Sequence, residues 1–218
     1  MEVSVIGLGR FGSLWAEILS KKVDVKGYNR SPGKQVDKKV RMVDFAEAAS
    51  CDAVFLCVAI SAMEEVLEKL KDYVKPGSTV IDTCSVKVIP VKHMCRILPE
   101  EVQVLGSHPM FGPDWTSAGL DGLPMILTPA RIEDSEVGSW EDFFSSFGLR
   151  VVTMSPDEHD HEAAFTQGIT HFIGRVLADL KLEQSKISTL GYRKLLEVME
   201  QTCNDPWQLV LDLQKCNP

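Results

Sequence analysis

The run VSVIGLGRFGSLWAEIL, residues 3–19, commits the start of this chain to one local shape. A short β-branched stretch runs into Gly7, Gly9 and Gly12, after which Leu14, Trp15, Ile18 and Leu19 recur at helical spacing. The reading is strand, tight turn, helix. In a G-x-G-x-x-G turn of this kind the first glycine permits the turn and the second lets a pyrophosphate approach the backbone. The third lets helix and strand pack closely, and free amides at the helix N-terminus face the anion. The context makes Gly7, Leu8, Gly9, Arg10, Phe11 and Gly12 candidate cofactor-binding residues for a dinucleotide.

The alternation continues beyond that turn. VDVKGY reads as a strand, RMVDFAEAAS as a short strand and a helix, DAVFLCVAI as a buried strand, AMEEVLEKLKDYV as a helix and GSTVIDTCS as a strand. A helix (IPVKHMCRIL), two strands (VQVLGS, PMILTP), a helix (VGSWEDFFSSFG) and a last strand (LRVVTM) follow. Strands alternating with helices predict an α/β, Rossmann-type, mostly parallel sheet. The pattern stops at Ser155-Pro156. Phe165, Ile169, Phe172, Ile173, Val176, Leu177 and Leu180 then mark one helix face, and Tyr192, Leu195, Leu196, Met199 and Cys203 mark a second. A third helix is expected at NDPW, with Asp205 as cap and Pro206 in the first helical position. The expected domains are therefore 1–155, dinucleotide-binding, and 156–218, a small all-α domain. Three such helices enclose little core alone, so they are expected to pack on the sheet or on a second copy.

Composition narrows the partners. With 31 acidic against 23 basic residues the net charge is −8, which disfavours a nucleic-acid partner. The longest apolar run, Ala53 to Ile60, is far shorter than the roughly 20 residues a membrane span needs. The chain enters a strand at Val3 without a leader pattern, so a cytoplasmic protein is expected. Six cysteines include no CxxC pair and no metal-ligand spacing with histidine; reduced thiols and no metal are expected.

The end of the second strand separates cofactors. NAD sites commonly place an acidic residue there, whereas a 2′-phosphate prefers arginine and hydroxyl donors. The sequence Tyr28-Asn29-Arg30-Ser31 predicts NADP as the preferred cofactor, with NAD as the other possibility, and adds Asn29, Arg30 and Ser31 to the cofactor set. Val58, at the end of the next buried strand, completes it.

In GSHPMFGPD, His108 is expected just past the carboxyl end of a strand, where open α/β sheets bind their ligands. Ser85 and Lys87, in DTCSVK, end another strand in the same way. An imidazole beside a nicotinamide can take a hydroxyl proton while a hydride leaves the same carbon. Lys87 either snorkels to solvent or reaches a carboxylate.

Together VIGLGRFG, DTCSVK, GSHPMFGP and EHDHEAAFTQGITHFIGR resemble the prephenate and arogenate dehydrogenase family of tyrosine biosynthesis, along nearly the whole chain. The resemblance implies an oxidative decarboxylation: hydride to the nicotinamide, loss of carbon dioxide, and aromatisation of the ring. It implies that His108 is the catalytic base and that Ser85 hydrogen-bonds the substrate hydroxyl or the imidazole. It places His171 on the first helix of the helical domain facing the substrate, with Gln167 on its face, and makes Arg193 a substrate-binding position. It also implies a homodimer paired through residues 157–218. His159 and His161, in DEHDHE, read as a solvated helix start; EHD recurs in the family, which gives His159 an orienting role as the alternative. His93 reads as exposed. The chain departs from the family where many relatives carry a carboxylate-gripping arginine, having Glu197, Glu200 and Gln201 instead. A related NADP-dependent dehydrogenase of another hydroxy acid or imine, and a non-catalytic nucleotide-binding sensor, are the competing readings.

Overall fold

The computed structural model describes residues 1–114, 116 and 119–218. Its strands are β1 (Val3–Ile6), β2 (Val25–Tyr28), β3 (Val40–Met42), β4 (Ala53–Leu56), β5 (Thr79–Asp82), β6 (Gln103–Pro109), β7 (Pro124–Arg131) and β8 (Arg150–Thr153). They form one eight-stranded sheet in the order β3-β2-β1-β4-β5-β6-β7-β8. Neighbours are parallel except at β6 and β7, which pair antiparallel, so β7 and β8 run against the rest. The expected Rossmann-type sheet is therefore present. Strand order reverses between β1 and β4, and the crevice outside the carboxyl ends of those strands is where such sheets take ligands.

Helices cover both faces, which is why β1, β4 and β5 are buried from end to end. On one face α1 (Arg10–Leu19) and α5 (Asp134–Ser145) bury Trp15, Ile18, Trp140 and Phe144 around Phe55. On the other, α2 (Phe45–Ala49), α3 (Met63–Leu70) and α4 (Val88–Ile97) bury Phe45, Met63, Leu67, Leu70 and Met94. The turn between β1 and α1 requires its glycines. Gly7 has φ +97°, and a Cβ on Gly12 would stand 1.9 Å from the Gly7 carbonyl oxygen.

The tail starts with a reciprocal cap. Ser155 Oγ accepts from the Glu158 amide at 3.2 Å while the Glu158 carboxylate accepts from the Ser155 amide at 2.9 Å, with Pro156 opening α6 (Pro156–Ala163). One π-helical stretch, Ala164–Gly168, leads into α7 (Ile169–Asp179), which packs on α8 (Leu190–Cys203). The last helix, α9 (Trp207–Cys216), returns to the sheet, where Asp212 accepts from the Ser61 amide at 3.2 Å and its hydroxyl at 3.1 Å. Asp205 does not cap α9. Pro206 is extended (ψ 141°) and takes the cap position itself, which leaves the Asp205 side chain one residue too early and 3.8 Å from His171 Nε2.

Behind the carboxyl edge lies a dry ion pair. Lys87 and Asp82 are fully buried and bonded to each other, and Lys87 Nζ also donates to the Ser107 carbonyl at 2.5 Å. Asp82 further accepts from the amides of Cys84 (2.9 Å) and Ser107 (3.3 Å). Of the two fates the sequence allows for Lys87, the structure shows the carboxylate. The pair welds the end of β5 to β6 one residue before His108. Lys87→Met would leave the Asp82 carboxylate buried without a counter-charge, and a destabilisation of roughly 3–5 kcal/mol is expected. Urea unfolding checks this; a loss below about 1 kcal/mol would contradict it.

Candidate active site

A cavity of about 480 Å³ opens along the carboxyl edge of the sheet. One wall comes from the glycine turn and the ends of β4 and β5, through Gly9, Arg10, Phe11, Val58 and Ser85. The facing wall carries His108 from β6, Gln167 and His171 from the tail, and Asp205 from the turn between α8 and α9.

The glycine wall fits a dinucleotide. Gly9 is the N-cap of α1 and makes no side-chain cap bond, so the first amides of that helix are left open to an anion. A Cβ built on Gly9 meets no atom within 4 Å, so a ligand can come up against this backbone. Phe11 lines the cavity and stacks on Trp15 with centroids 5.9 Å apart. Two members of the expected cofactor set do other work. Leu8 is buried in the core, and its amide donates at 3.0 Å to Asn29 Oδ1. Asn29 also donates to the Ser31 carbonyl at 3.0 Å, so it braces the turn. Arg30 and Ser31 are exposed at the end of β2, outside the cavity lining.

His108 lies inside β6, not beyond its end. Antiparallel pairing with β7 carries the strand through Pro109, with His108 opposite Ile126, while pairing to β5 stops at Leu105. His108 Nδ1 lies 2.8 Å from His159 Nε2, and His159 Nδ1 lies 2.8 Å from Asp160 Oδ1. Asp160 in turn accepts from the amides of Lys87 at 2.6 Å and Val88 at 2.9 Å, at the start of α4. A carboxylate accepts, so His159 Nδ1 carries a proton and donates it. In a neutral His159 ring Nε2 is then an acceptor, and the proton between the rings belongs to His108 Nδ1. Nε2 of His108 is left with its lone pair free, the nitrogen a general base requires.

His159 is thus buried beside His108, and the expectation of a solvated helix start fails for it. DEHDHE looks solvated because it is strongly acidic, yet a helix exposes only one face. His159, Asp160 and Ala163 point inward, while His161 is exposed. Ser85 lines the cavity near this chain of rings, but the recorded hydrogen-bond partner of the His108 ring is His159.

Gln167 and His171 project from one helix face into the cavity, and both hold a buried polar atom without a partner, Gln167 Oε1 and His171 Nδ1. Arg193 sits exposed on α8 and does not line the cavity; it lies outside the site as this single chain builds it. Sequence reasoning missed Asp160, Asp205 and Asp212. Asp160 follows His159 directly, but nothing local shows that its partners lie some 70 residues earlier.

The family model described as the prephenate dehydrogenase nucleotide-binding domain matches residues 18–166, and that of a TYRAAT1-like C-terminal domain matches residues 176–218. Arogenate dehydrogenase 1, chloroplastic, of Arabidopsis thaliana is 33% identical over 230 residues, covering 100% of this chain and 36% of that protein. Arogenate dehydrogenase 2, chloroplastic, of the same plant is 32% identical, covering 100% and 64%. The chain therefore spans from about a third to just under two thirds of the length of these relatives. Among solved structures, prephenate dehydrogenase from A. aeolicus in complex with hydroxyphenyl propionate and NAD+ shares the fold with a TM-score of 0.80 at 22% identity, covering 100% of this chain and 82% of that one.

Burial gives the site a pH signature. Desolvation holds His108 well below its ordinary value of 6.5, with the neighbouring His159 and Lys87 adding to the effect. Desolvation lowers His171 too, Asp205 opposing it and Arg175 reinforcing it. Both groups take up protons near 6.5 in the unfolded chain but not in the folded one. The unfolded state thus binds more protons below 6.5, and stability falls as pH drops through that value. Unfolding free energies are expected to be level above about pH 7.5 and to decline on acidification to about pH 5.5. A rise over that interval would contradict the assignment.

Proposed function

We propose that this chain, which belongs to the prephenate dehydrogenase family, catalyses the oxidative decarboxylation of arogenate or prephenate in tyrosine biosynthesis, with NADP preferred over NAD. The observation that carries the reading is His108, a buried imidazole whose Nδ1 is engaged by His159, set in the same cavity as an open dinucleotide turn. A bound nicotinamide supplies the hydride acceptor. His108 Nε2 takes the proton of the ring hydroxyl as the hydride leaves the same carbon, and Ser85 holds that hydroxyl. Loss of carbon dioxide pushes its bonding electrons into the ring, and the phenolic oxygen takes its proton back from His108. Atoms balance as substrate plus oxidised cofactor giving phenol, carbon dioxide and reduced cofactor. Charge that passes through His108 is shared with His159 and Asp160, so the imidazolium need not stand alone in a desolvated site.

Residues 1–155 hold the nucleotide on Gly7, Gly9 and Gly12, with Phe11 and Val58 against it and Arg30 and Ser31 at the 2′-phosphate. Residues 156–218 supply Gln167 and His171 for the substrate. Asp205 favours arogenate over prephenate, because a carboxylate in the lining complements the ammonium that arogenate carries and prephenate lacks. The tail also supports a homodimer. Phe165, Ile169, Phe172, Val176 and Leu180 are all exposed along α7 and the stretch before it, a long apolar stripe that a second copy would cover. Among the described residues no helix is long and apolar enough to cross a membrane. A cytoplasmic location is tested by fractionation; recovery in plastids, the location given in the names of the two Arabidopsis relatives, would contradict it.

The direct test offers arogenate and prephenate, each with NAD and NADP, and follows nicotinamide reduction. Arogenate with NADP is expected to react fastest, and His108→Asn to lower turnover by roughly two to four orders of magnitude while still binding nucleotide. Near-normal turnover of that variant would remove His108 from the chemistry. Sedimentation at micromolar concentration is expected to give a dimer buried over well more than roughly 2,000 Å²; a clean monomer with full activity would contradict it.

A further inference from the structure

The charges around the cavity do not suit an anionic substrate. Among the described lining residues the charged groups are Arg10, Asp114, Asp205 and Asp212, one cation against three carboxylates. His108 and His171 do little to redress the balance, since burial disfavours the charged form of both imidazoles. Arogenate and prephenate each bring two carboxylates. A carboxylate held in a desolvated site without a cation is poorly compensated, so Arg10 is the group that must serve it.

Where Arg10 points supports this. It belongs to the glycine turn, yet its guanidinium reaches away from that turn to the substrate half of the cavity. Nη2 bonds both oxygens of Asp114 at 3.0 and 3.1 Å, and Nη1 donates to the Asn204 carbonyl at 2.6 Å, next to Asp205. Its pairing with Asp114 is half-exposed and solvent-screened, a weak ion pair. An incoming carboxylate can replace the Asp114 carboxylate on the same Nη2 while Nη1 stays on the Asn204 carbonyl.

We propose that Arg10, from the cofactor turn, binds the side-chain carboxylate of the substrate; this rests on the reading of the site given above. The choice between the two carboxylates follows from the neighbours of Arg10, whose guanidinium is held on the Asn204 carbonyl beside Asp205. Arg10 and Asp205 then sit side by side with opposite charges, the arrangement that suits the carboxylate and ammonium of an α-amino acid. Arg10 moves from the expected cofactor set to substrate recognition.

The test uses binding, not turnover. Affinity for hydroxyphenyl propionate is measured calorimetrically with the cofactor sites filled, and NADP affinity separately without it, for the wild-type chain, Arg10→Ala and Arg10→Lys. Arg10→Ala is expected to weaken the carboxylate ligand about 10- to 100-fold and NADP by less than about threefold, with Arg10→Lys recovering part of the loss. Affinity for para-ethylphenol, which lacks the carboxylate, should be the same in all three. Unchanged hydroxyphenyl propionate affinity in Arg10→Ala would overturn the proposal, as would an equal loss for NADP, which would assign the guanidinium to a phosphate. If the wild-type chain binds NADP but no aromatic carboxylate, the reading of the site fails and takes this proposal with it.

Discussion

The site depends on one carboxylate. Asp160, on the first helix of the tail, accepts from the amides of Lys87 and Val88 and from the ring of His159. The helix α4 that it meets has no side-chain cap of its own at Lys87. A residue 73 positions later therefore supplies the acceptor that α4 lacks. The bond docks the tail on the sheet and, through His159, decides which nitrogen of His108 is free. Fold and chemistry share this joint. A tail docked elsewhere would leave His108 without a defined tautomer.

Polar groups around it fall into two sets. One set, behind the cavity, is paired: Lys87 with Asp82 and the Ser107 carbonyl, Ser107 with Asp82, Asp160 with its amides. Such networks cost little when complete and hold their members rigid. Facing the cavity, Gln167 Oε1 and His171 Nδ1 are buried with no partner. Unpaired buried groups carry a desolvation penalty that a ligand's polar atoms can relieve.

Much of the fold was legible because it rests on local pattern. Glycine spacing, β-branched runs and helical periodicity all report on residues a few positions apart, and each strand expected in residues 1–155 is present in the sheet, with the expected helices between them. Gly7 and Gly12 could be placed because their demand is local too, a positive φ and a missing Cβ. Long-range pairing was not legible. His159 in an acidic run looks solvated, and only the docking of α6 onto α4 and β7 turns it inward toward His108. Asp205 looked like a helix cap because Asp-Pro at a helix start commonly is one; the extended Pro206 moves it into the cavity instead. Arg193 matched by sequence position alone, and the winding of α8 carries it to the exposed side.

The assignment of the protons along Asp160, His159 and His108 can be observed directly. A long-range nitrogen–proton correlation spectrum of the imidazole rings at neutral pH distinguishes the two tautomers of each histidine. His108 and His159 are both expected to carry their proton on Nδ1, with the Nε2 signal of His108 that of an unprotonated nitrogen. Asp160→Asn is expected to disturb this pattern at both rings. A proton on Nε2 of His108 in the wild-type chain would contradict its role as the base and the part Asp160 plays in setting it.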